Sequence, residues 1–515
     1  MKFIVKAILI LIIILVVLYI AYTLYEELIG YLRVREYRKQ GYKNVEFCPI
    51  WQTIFEERKQ LKADDLYYIE KEEMVKLNAK EPFRIYGGTG GCQFVPNSPE
   101  AVAEFYKKEL DYTVKINYFE NLRFLGFFFE NGKEVHKGRA TFAKIFHYSN
   151  VISLLPQITS IIKKYTEALK ERVREQKLKK LKIDLKEEFL LKLFEDLTGC
   201  ILLTGAEKKI DATFEGMTVS EILKKMFKCY EMSARNLLNY FVPYAEELGL
   251  VKEAREFKRL QTAFRGIISE QYKSRYNSSS DQNLADNSIL DILVKKNKIS
   301  EKKTGKPEFS LEEISDYFEM FQFAGSDTSF QASSSYLTLL AQPENQIHQE
   351  KLYSELKREL KDTQIVDSQQ LDSLKMLDMC FMETMRMANP AAEISEREVV
   401  KDFSICGCEI KEGDIIVNYL IQYQPAYFQN PYKFLPERWS REARREVPLM
   451  KQLPFSHGQR GCVGKYLGEM MVKLILVELV RRFRFEVEDG YKMKLGMNPL
   501  YGVANPDLIL SLRDE

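Results

Sequence analysis

Phe455-Ser456-His457-Gly458-Gln459-Arg460-Gly461-Cys462-Val463-Gly464 sets one cysteine between glycines, two residues after an arginine and just before the amphipathic run from Lys465 to Phe483. A cysteine near a helix N-terminus meets unpaired backbone N–H groups and the positive end of the helix dipole, and both favour a negative sulfur. Gly458, Gly461 and Gly464 permit a tight loop and let backbone come close to a flat ligand. Arg460 offers a guanidinium fork that suits a carboxylate. A buried, inert cysteine in a glycine-rich turn would share the local pattern, because free cysteines commonly serve as small core residues.

A thiolate, a close-packed loop and a carboxylate clamp are together what a haem with a cysteine axial ligand requires. The segment resembles the haem-binding loop of the cytochrome P450 family, Phe-x-x-Gly-x-Arg-x-Cys-x-Gly, and every specified position is matched. The resemblance implies that Cys462 is the axial ligand of a haem (iron protoporphyrin IX), with Phe455, Gly458 and Gly464 shaping the loop. It also implies Arg460 and His457 as contacts to the haem propionates. The implied fold is mainly α with small β-sheets, the cytochrome P450 fold, as a single large catalytic domain.

A second motif lies inside a long helical pattern. Ser310-Leu311-Glu312-Glu313 has the form of a capping box that starts the helix, and within it stands Phe323-Ala324-Gly325-Ser326-Asp327-Thr328-Ser329. A mid-helix glycine costs about 1 kcal/mol relative to alanine, so Gly325 needs a reason. Asp327 and Thr328 place a carboxylate and a hydroxyl where the helix could open locally and admit a small molecule and water. A simple helix kink would fit the same residues. The stretch resembles the family's oxygen-binding motif, which implies that Gly325 leaves room for dioxygen while Thr328 and Asp327 manage protons during its cleavage.

Further resemblances follow in family order. Glu383-Thr384-Met385-Arg386 supplies the family's Glu-x-x-Arg, a spacing that shares one helix face and is also that of ordinary surface pairs. Phe434-Leu435-Pro436-Glu437-Arg438-Trp439 is similar to the Pro-Glu-Arg-Phe segment, which implies a buried triad of Glu383, Arg386 and Arg438 supporting the haem loop. Arg397 and Arg139 occupy positions where the family sets arginines against haem propionates. Val135 stands where the family has tryptophan, and the adjacent His136 either replaces that contact or is a solvated surface residue.

The 515 residues are 45% hydrophobic and 29% charged with a formal charge of +2, an ordinary globular composition without the basic excess of a nucleic-acid binder. The eight cysteines form no Cys-x-x-Cys pair, and with four histidines a side-chain metal cluster is not expected. From Ala7 to Tyr25 no charge occurs, nearly the ~20 residues of a membrane-spanning helix. No small-residue cleavage site follows, which favours a retained signal anchor over a cleaved signal peptide. Arg33, Arg35, Arg38 and Lys39 behind the span lean toward a cytosolic catalytic part. The expected organisation is a transmembrane anchor over 1–25, a connector over 26–49 and the catalytic domain over 50–515. The implied membrane is the endoplasmic reticulum.

Long helices are expected over 183–203, 311–340 and 344–360, polar loops over 277–287 and 301–307, and strands over 403–417 and after Arg484 with a hairpin turn at Glu488-Asp489-Gly490. Arg84 to Tyr86 reads as a strand entering a turn, and the following glycines lack the spacing of a dinucleotide fingerprint. Substrate contacts are expected from Phe124 to Phe129 and at Val503-Ala504, both equally readable as core, while Phe227 to Tyr244 could form a roof but reads better as core packing. The expected function is a monooxygenase that inserts one oxygen atom from O2 into a lipophilic substrate. Its electrons would come from an NADPH-cytochrome P450 reductase-type partner, since no flavin or nicotinamide motif is present. Two alternatives remain: a peroxide isomerase or dehydratase of the same fold, and a non-catalytic membrane haem-binding protein.

Overall fold

The structure, a computed structural model, describes residues 2–49, 81–88, 91–116, 128, 131, 133–177, 179–204, 213–234, 236, 245–246, 248–278, 288–361, 367–391, 393–419, 427–445, 447, 450, 453–497 and 500–513. It divides into two compact units. Unit 1 comprises Met1–Ile116, Ala391–Lys433 and Arg445–Gly461, and unit 2 comprises Asn117–Pro390, Phe434–Arg444 and Cys462–Glu515.

In unit 1, helix α1 runs without a break over Lys2–Lys39. The expected boundary at residue 25 falls mid-helix, and most of the expected connector is helical. Glu26 to Lys39 contains no proline and only one glycine, so nothing ends the helix before Gly41, whose φ is +98°. Strands β1 (Val45–Phe47), β2 (Phe83–Gly88) and β3 (Gly91–Pro96) follow, then helix α2 (Pro99–Tyr112), strand β4 (Thr113–Lys115), and strands β5 (Glu393–Val399) and β6 (Ile415–Tyr419). The six-stranded sheet has the order β1-β2-β3-β6-β5-β4. The glycines after Tyr86 serve the β2–β3 hairpin, in which Gly88 lies opposite Gly91. Helix α2 starts at Ser98, whose side chain accepts from the Ala101 N–H, with Pro99 in the first turn. Its inner face buries Ala101 and Phe105 against Phe83, Ile85, Phe94 and Ile416 of the sheet.

Unit 2 is helical. Its helices include α3 (Leu155–Arg174), α4 (Leu191–Gly199), α5 (Lys252–Ser278), α6 (Leu311–Ala341), α7 (Lys375–Met387) and α8 (Lys465–Arg482). The capping box forms as the sequence predicts: Glu313 N–H donates to Ser310 Oγ at 3.1 Å and Ser310 N–H donates to Glu313 Oε2 at 2.7 Å. Helix α6 then runs 31 residues, about 47 Å, and ends where Gln342 turns extended before Pro343. It packs against α4, α5, α7 and α8.

Three local expectations are corrected. Ile183 and Asp184 end the strand Lys180–Asp184 rather than starting a helix, because Leu181 and Ile183 alternate with exposed lysines. Residues 301–304 are the last turn of the helix Ile289–Thr304, closed by Gly305 at φ +74°. Glu488 to Tyr491 does form a turn, with Tyr491 N–H donating to Glu488 O at 3.0 Å, but the strand before it, Phe483–Glu486, pairs with Asp507–Leu512 instead of folding back as a hairpin.

Candidate active site

In unit 2, Cys462 stands three residues ahead of the first helical residue of α8. Its side chain is exposed to a water-sized sphere, yet protein encloses it at longer range. The longer-range enclosure governs hydration and pushes the thiol above its ordinary pKa. The Gly464 N–H bonded to it and the positive charges of Arg139 and Lys465 pull in the other direction. Gly464 has nothing within 4 Å of where a Cβ would stand, so the backbone beside the sulfur is unobstructed, whereas a Cβ on Gly461 would lie 3.1 Å from the carbonyl oxygen of Gly458.

Among the described residues no group of three His, Cys, Asp or Glu side chains could hold a metal ion. A lone accessible sulfur fits a metal that brings its remaining ligands with it, as haem iron does in its porphyrin. The residues present thus fit a haem. Arg139 is the member of the proposed propionate set whose charge reaches Cys462. The side chains of Val135 and His136, and residues 124–127, 129, 235 and 237–244, lie outside the described residues.

Helix α6 packs on α8, where Ser329 Oγ lies 3.9 Å from the position of a Cβ on Gly468. That seam brings the Gly325–Thr328 segment toward the helix that Cys462 precedes. Ala324 is exposed and Gly325, Asp327 and Thr328 are half-buried, in contrast to the almost wholly buried run that follows. The helix does not open here, and Thr328 Oγ1 donates back to Ala324 O at 2.6 Å. Close packing also favours glycine at 325, since a Cβ there would stand 3.2 Å from Thr198 Cγ2 on α4. Ser326 reinforces the contact, its Oγ 3.0 Å from Thr198 Oγ1. Val503 is fully buried, its N–H donating to Ser335 Oγ at 3.2 Å, so on this strand it belongs to the core.

Glu383, Arg386 and Arg438 come together. Glu383 is fully buried on α7 and accepts from Arg386 Nε and Nη2, both at 2.9 Å, and from Arg438 Nε at 3.3 Å. The sequence reading missed two more partners: Trp439 Nε1 donates to Glu383 at 2.8 Å and Leu435 N–H donates at 3.0 Å. The Glu-x-x-Arg spacing gave no sign of them. A carboxylate with this many donors holds the turn Pro436–Trp439 against α7.

In unit 1, Arg397 on β5 is buried and directs Nε and Nη2 to Glu109 Oε1 of α2, at 2.7 and 2.6 Å. Glu109 was not singled out in the sequence, where it looks like any helix-surface glutamate. Phe455, His457 and Arg460 are half-buried, and Gly458 adopts φ +71° in the short turn Gly458–Arg460. Ser456 holds φ +62°, a left-handed conformation that costs a non-glycine residue energy. Tyr106 of α2 steadies it, its hydroxyl 3.0 Å from Ser456 Oγ and its ring edge-on to His457 at 5.8 Å.

Residues 69–511 match the family description "Cytochrome P450". Cytochrome P450 3A6 of Oryctolagus cuniculus is 26% identical over 364 residues, 68% of this chain and 69% of that protein. Thromboxane-A synthase of Rattus norvegicus is 38% identical over 117 residues, 22% of each chain. Among solved structures, the heme domain of a cytochrome P450DA mutant superposes with a TM-score of 0.72 at 17% identity, covering 88% of this chain and 95% of that one. Cys462 with its Gly464 N–H and the match over residues 69–511 lead to one conclusion: this chain belongs to the cytochrome P450 family, whose members bind haem iron.

Proposed function

We propose that this protein is a membrane-anchored haem-thiolate monooxygenase that inserts one atom of dioxygen into a lipophilic organic substrate, with electrons from an NADPH-dependent reductase. The observation that carries the reading is Cys462, an accessible sulfur bonded by the Gly464 N–H at the head of α8. Haem, when bound, supplies the redox-active iron at which dioxygen is reduced. Cys462 would ligate that iron, and Arg139, Arg397, Arg460 and His457 would meet the propionates. Asp327 and Thr328 would move protons; Thr328 Oγ1, now donating to Ala324 O, must rotate from that carbonyl to donate elsewhere. Glu383, Arg386 and Arg438 hold the segment before the haem loop.

Among the described residues no helix is long and apolar enough to cross a membrane. The anchor reading rests instead on the uncharged run from Ala7 to Tyr25 and on apolar side chains of α1 that lie exposed, including Leu18, Leu24 and Leu28. The basic residues after the span place unit 1 and unit 2 in the cytosol, and the resemblance to microsomal members of the family supports the endoplasmic reticulum as the membrane.

The test is the reduced carbon-monoxide spectrum of the full chain in nanodiscs, repeated with Cys462→Ser, followed by NADPH- and reductase-dependent oxygen uptake across a lipid panel. A thiolate-type band lost in the variant, with substrate-dependent uptake, is the expected result. Turnover of a hydroperoxide without NADPH would instead place the protein with isomerases and dehydratases, and bound haem with no turnover would make it a carrier.

A further inference from the structure

Helix α1 meets the sheet of unit 1 backbone to backbone. A Cβ on Gly30 would stand 2.1 Å from Gly88 O, and a Cβ on Gly87 would stand 2.2 Å from Val34 Cγ2 and 2.8 Å from Gly30 O. No side chain could be inserted at either point without driving the helix off the sheet. Val34 and Tyr37 continue the same face at i+4 and i+7 and are buried, 0% and 5% exposed. Polar contacts pin the seam along its length. Arg33 is ion-paired with the buried Asp414, Tyr37 donates to Glu409 O at 2.7 Å, and Arg38 Nη2 donates to Val45 O at 2.9 Å.

The character of the helix changes at this seam. N-terminal to Gly30 most of its described apolar residues face outward: Val17, Leu18, Ile20, Leu24, Tyr25 and Leu28 are each more than half exposed. From Tyr25 to Gly30 is five residues of helix, about 7.5 Å. The helix holds no proline to bend it there, and its single glycine in that stretch is consumed by the contact with Gly88.

We propose that α1 is a rigid strut: the Gly30–Gly87–Gly88 seam locks the anchor helix to the β2–β3 hairpin, so that a lipid bilayer around the exposed part of α1 sets the height and rotation of unit 1. The proposal rests on the anchor reading above. A loosely tethered catalytic part would need slack between anchor and sheet, and the seam removes it.

The full chain in phosphatidylcholine–phosphatidylserine nanodiscs tests both readings separately. Amides of residues 28–38 should exchange with deuterium at least ~100-fold more slowly than in an unstructured chain, as in a docked helix. Gly87→Val should speed that exchange about tenfold or more. If that variant fails to fold, inserting two alanines after Glu27 decides, because it leaves the seam intact and turns the sheet about 200° relative to the anchor. With benzoylphenylalanine at Glu46 or Tyr432, lipid cross-linking should change at least about threefold at one of the two positions on insertion, a consequence of that turn. Unprotected amides over 28–38, or cross-linking indifferent to the insertion, would overturn the strut and leave the anchor standing. A chain that does not associate with the nanodiscs would overturn the anchor and the strut's role at a bilayer together.

Discussion

Arg397 Nη2 lies 2.6 Å from Glu109 Oε1, joining strand β5 to helix α2 through two side chains that are 3% and 4% exposed. Burying either charge alone is costly, so the pair is held by mutual need more than by net gain. Glu109→Ala should destabilise unit 1 by about 3–5 kcal/mol, read from the denaturant midpoint, because it removes the buried carboxylate that Arg397 Nε and Nη2 both meet. Replacing both residues with methionine should recover most of that loss. A Glu109→Ala protein as stable as the parent would show that water or another group already serves Arg397.

Trp439 Nε1 donates to Glu383 Oε2 at 2.8 Å in the wholly buried cluster on α7. Trp439→Phe keeps the ring and removes that donor, and should cost about 1–3 kcal/mol, the usual loss for a hydrogen bond to a charged group. Glu383→Ala should cost more, about 3–5 kcal/mol, since it removes the buried carboxylate that Arg386, Arg438, Trp439 and Leu435 all donate to. Urea unfolding of the two variants side by side gives the order, and a reversed order would refute the account.

Gly325→Ala sets two effects against each other. Alanine favours the helix by about 1 kcal/mol, but its methyl would sit 3.2 Å from Thr198 Cγ2 in a packed seam, and overpacking typically costs 1–3 kcal/mol, here about 1–2. A small net destabilisation is expected. Thr198→Ser deletes the offending methyl and keeps the hydroxyl, so the double variant should be at least as stable as Thr198→Ser alone. Simple additivity in this cycle would mean the two residues do not touch.

Glu319 of α6 is fully buried against α5, where Gln261 Nε2 donates to it at 2.8 Å and Arg265 Nη2 approaches at 3.3 Å. Burial pushes its carboxyl up to about 7, opposed by Arg265 and Gln261, and Asp316 beside Arg265 pushes it further up. A carboxyl with a folded pKa above its unfolded value takes up a proton on folding. Its contribution to stability is therefore greatest below about pH 4.5, declines as the pH rises, and is lost above about pH 7. Glu319→Gln should flatten this decline and stabilise the protein at pH 8 relative to the parent, measured by guanidinium midpoints at pH 5 and pH 8. An unchanged slope would mean the carboxylate is ionised throughout.

Some of the architecture was readable because it is local. Ser310 and Glu313 predict the start of α6 through bonds made within four residues, and Pro343 marks its end by backbone sterics. The same holds for the cysteine loop, whose glycines and arginine lie within ten residues of one another. Helix α1 passes from an apolar run into a charged one because the backbone needs only the absence of a breaker to continue. Ile183 and Asp184 were expected as helix because the alternation of the strand Lys180–Asp184 is short and abuts a helical pattern.

Chain order alone therefore determined the cysteine that marks the family, the capped helix carrying Asp327 and Thr328, and the uncharged N-terminal run, since each depends on residue type and near spacing. Folding in three dimensions decided which partners those residues meet. Glu109 reaches Arg397 across 288 positions, Tyr106 steadies Ser456 across 350, and Thr198 fills the space beside Gly325. Contacts of this kind are set by which helices and strands pack together, and a close approach such as that of Gly30 to Gly88 leaves no mark on either stretch of sequence beyond a glycine that many turns could equally require.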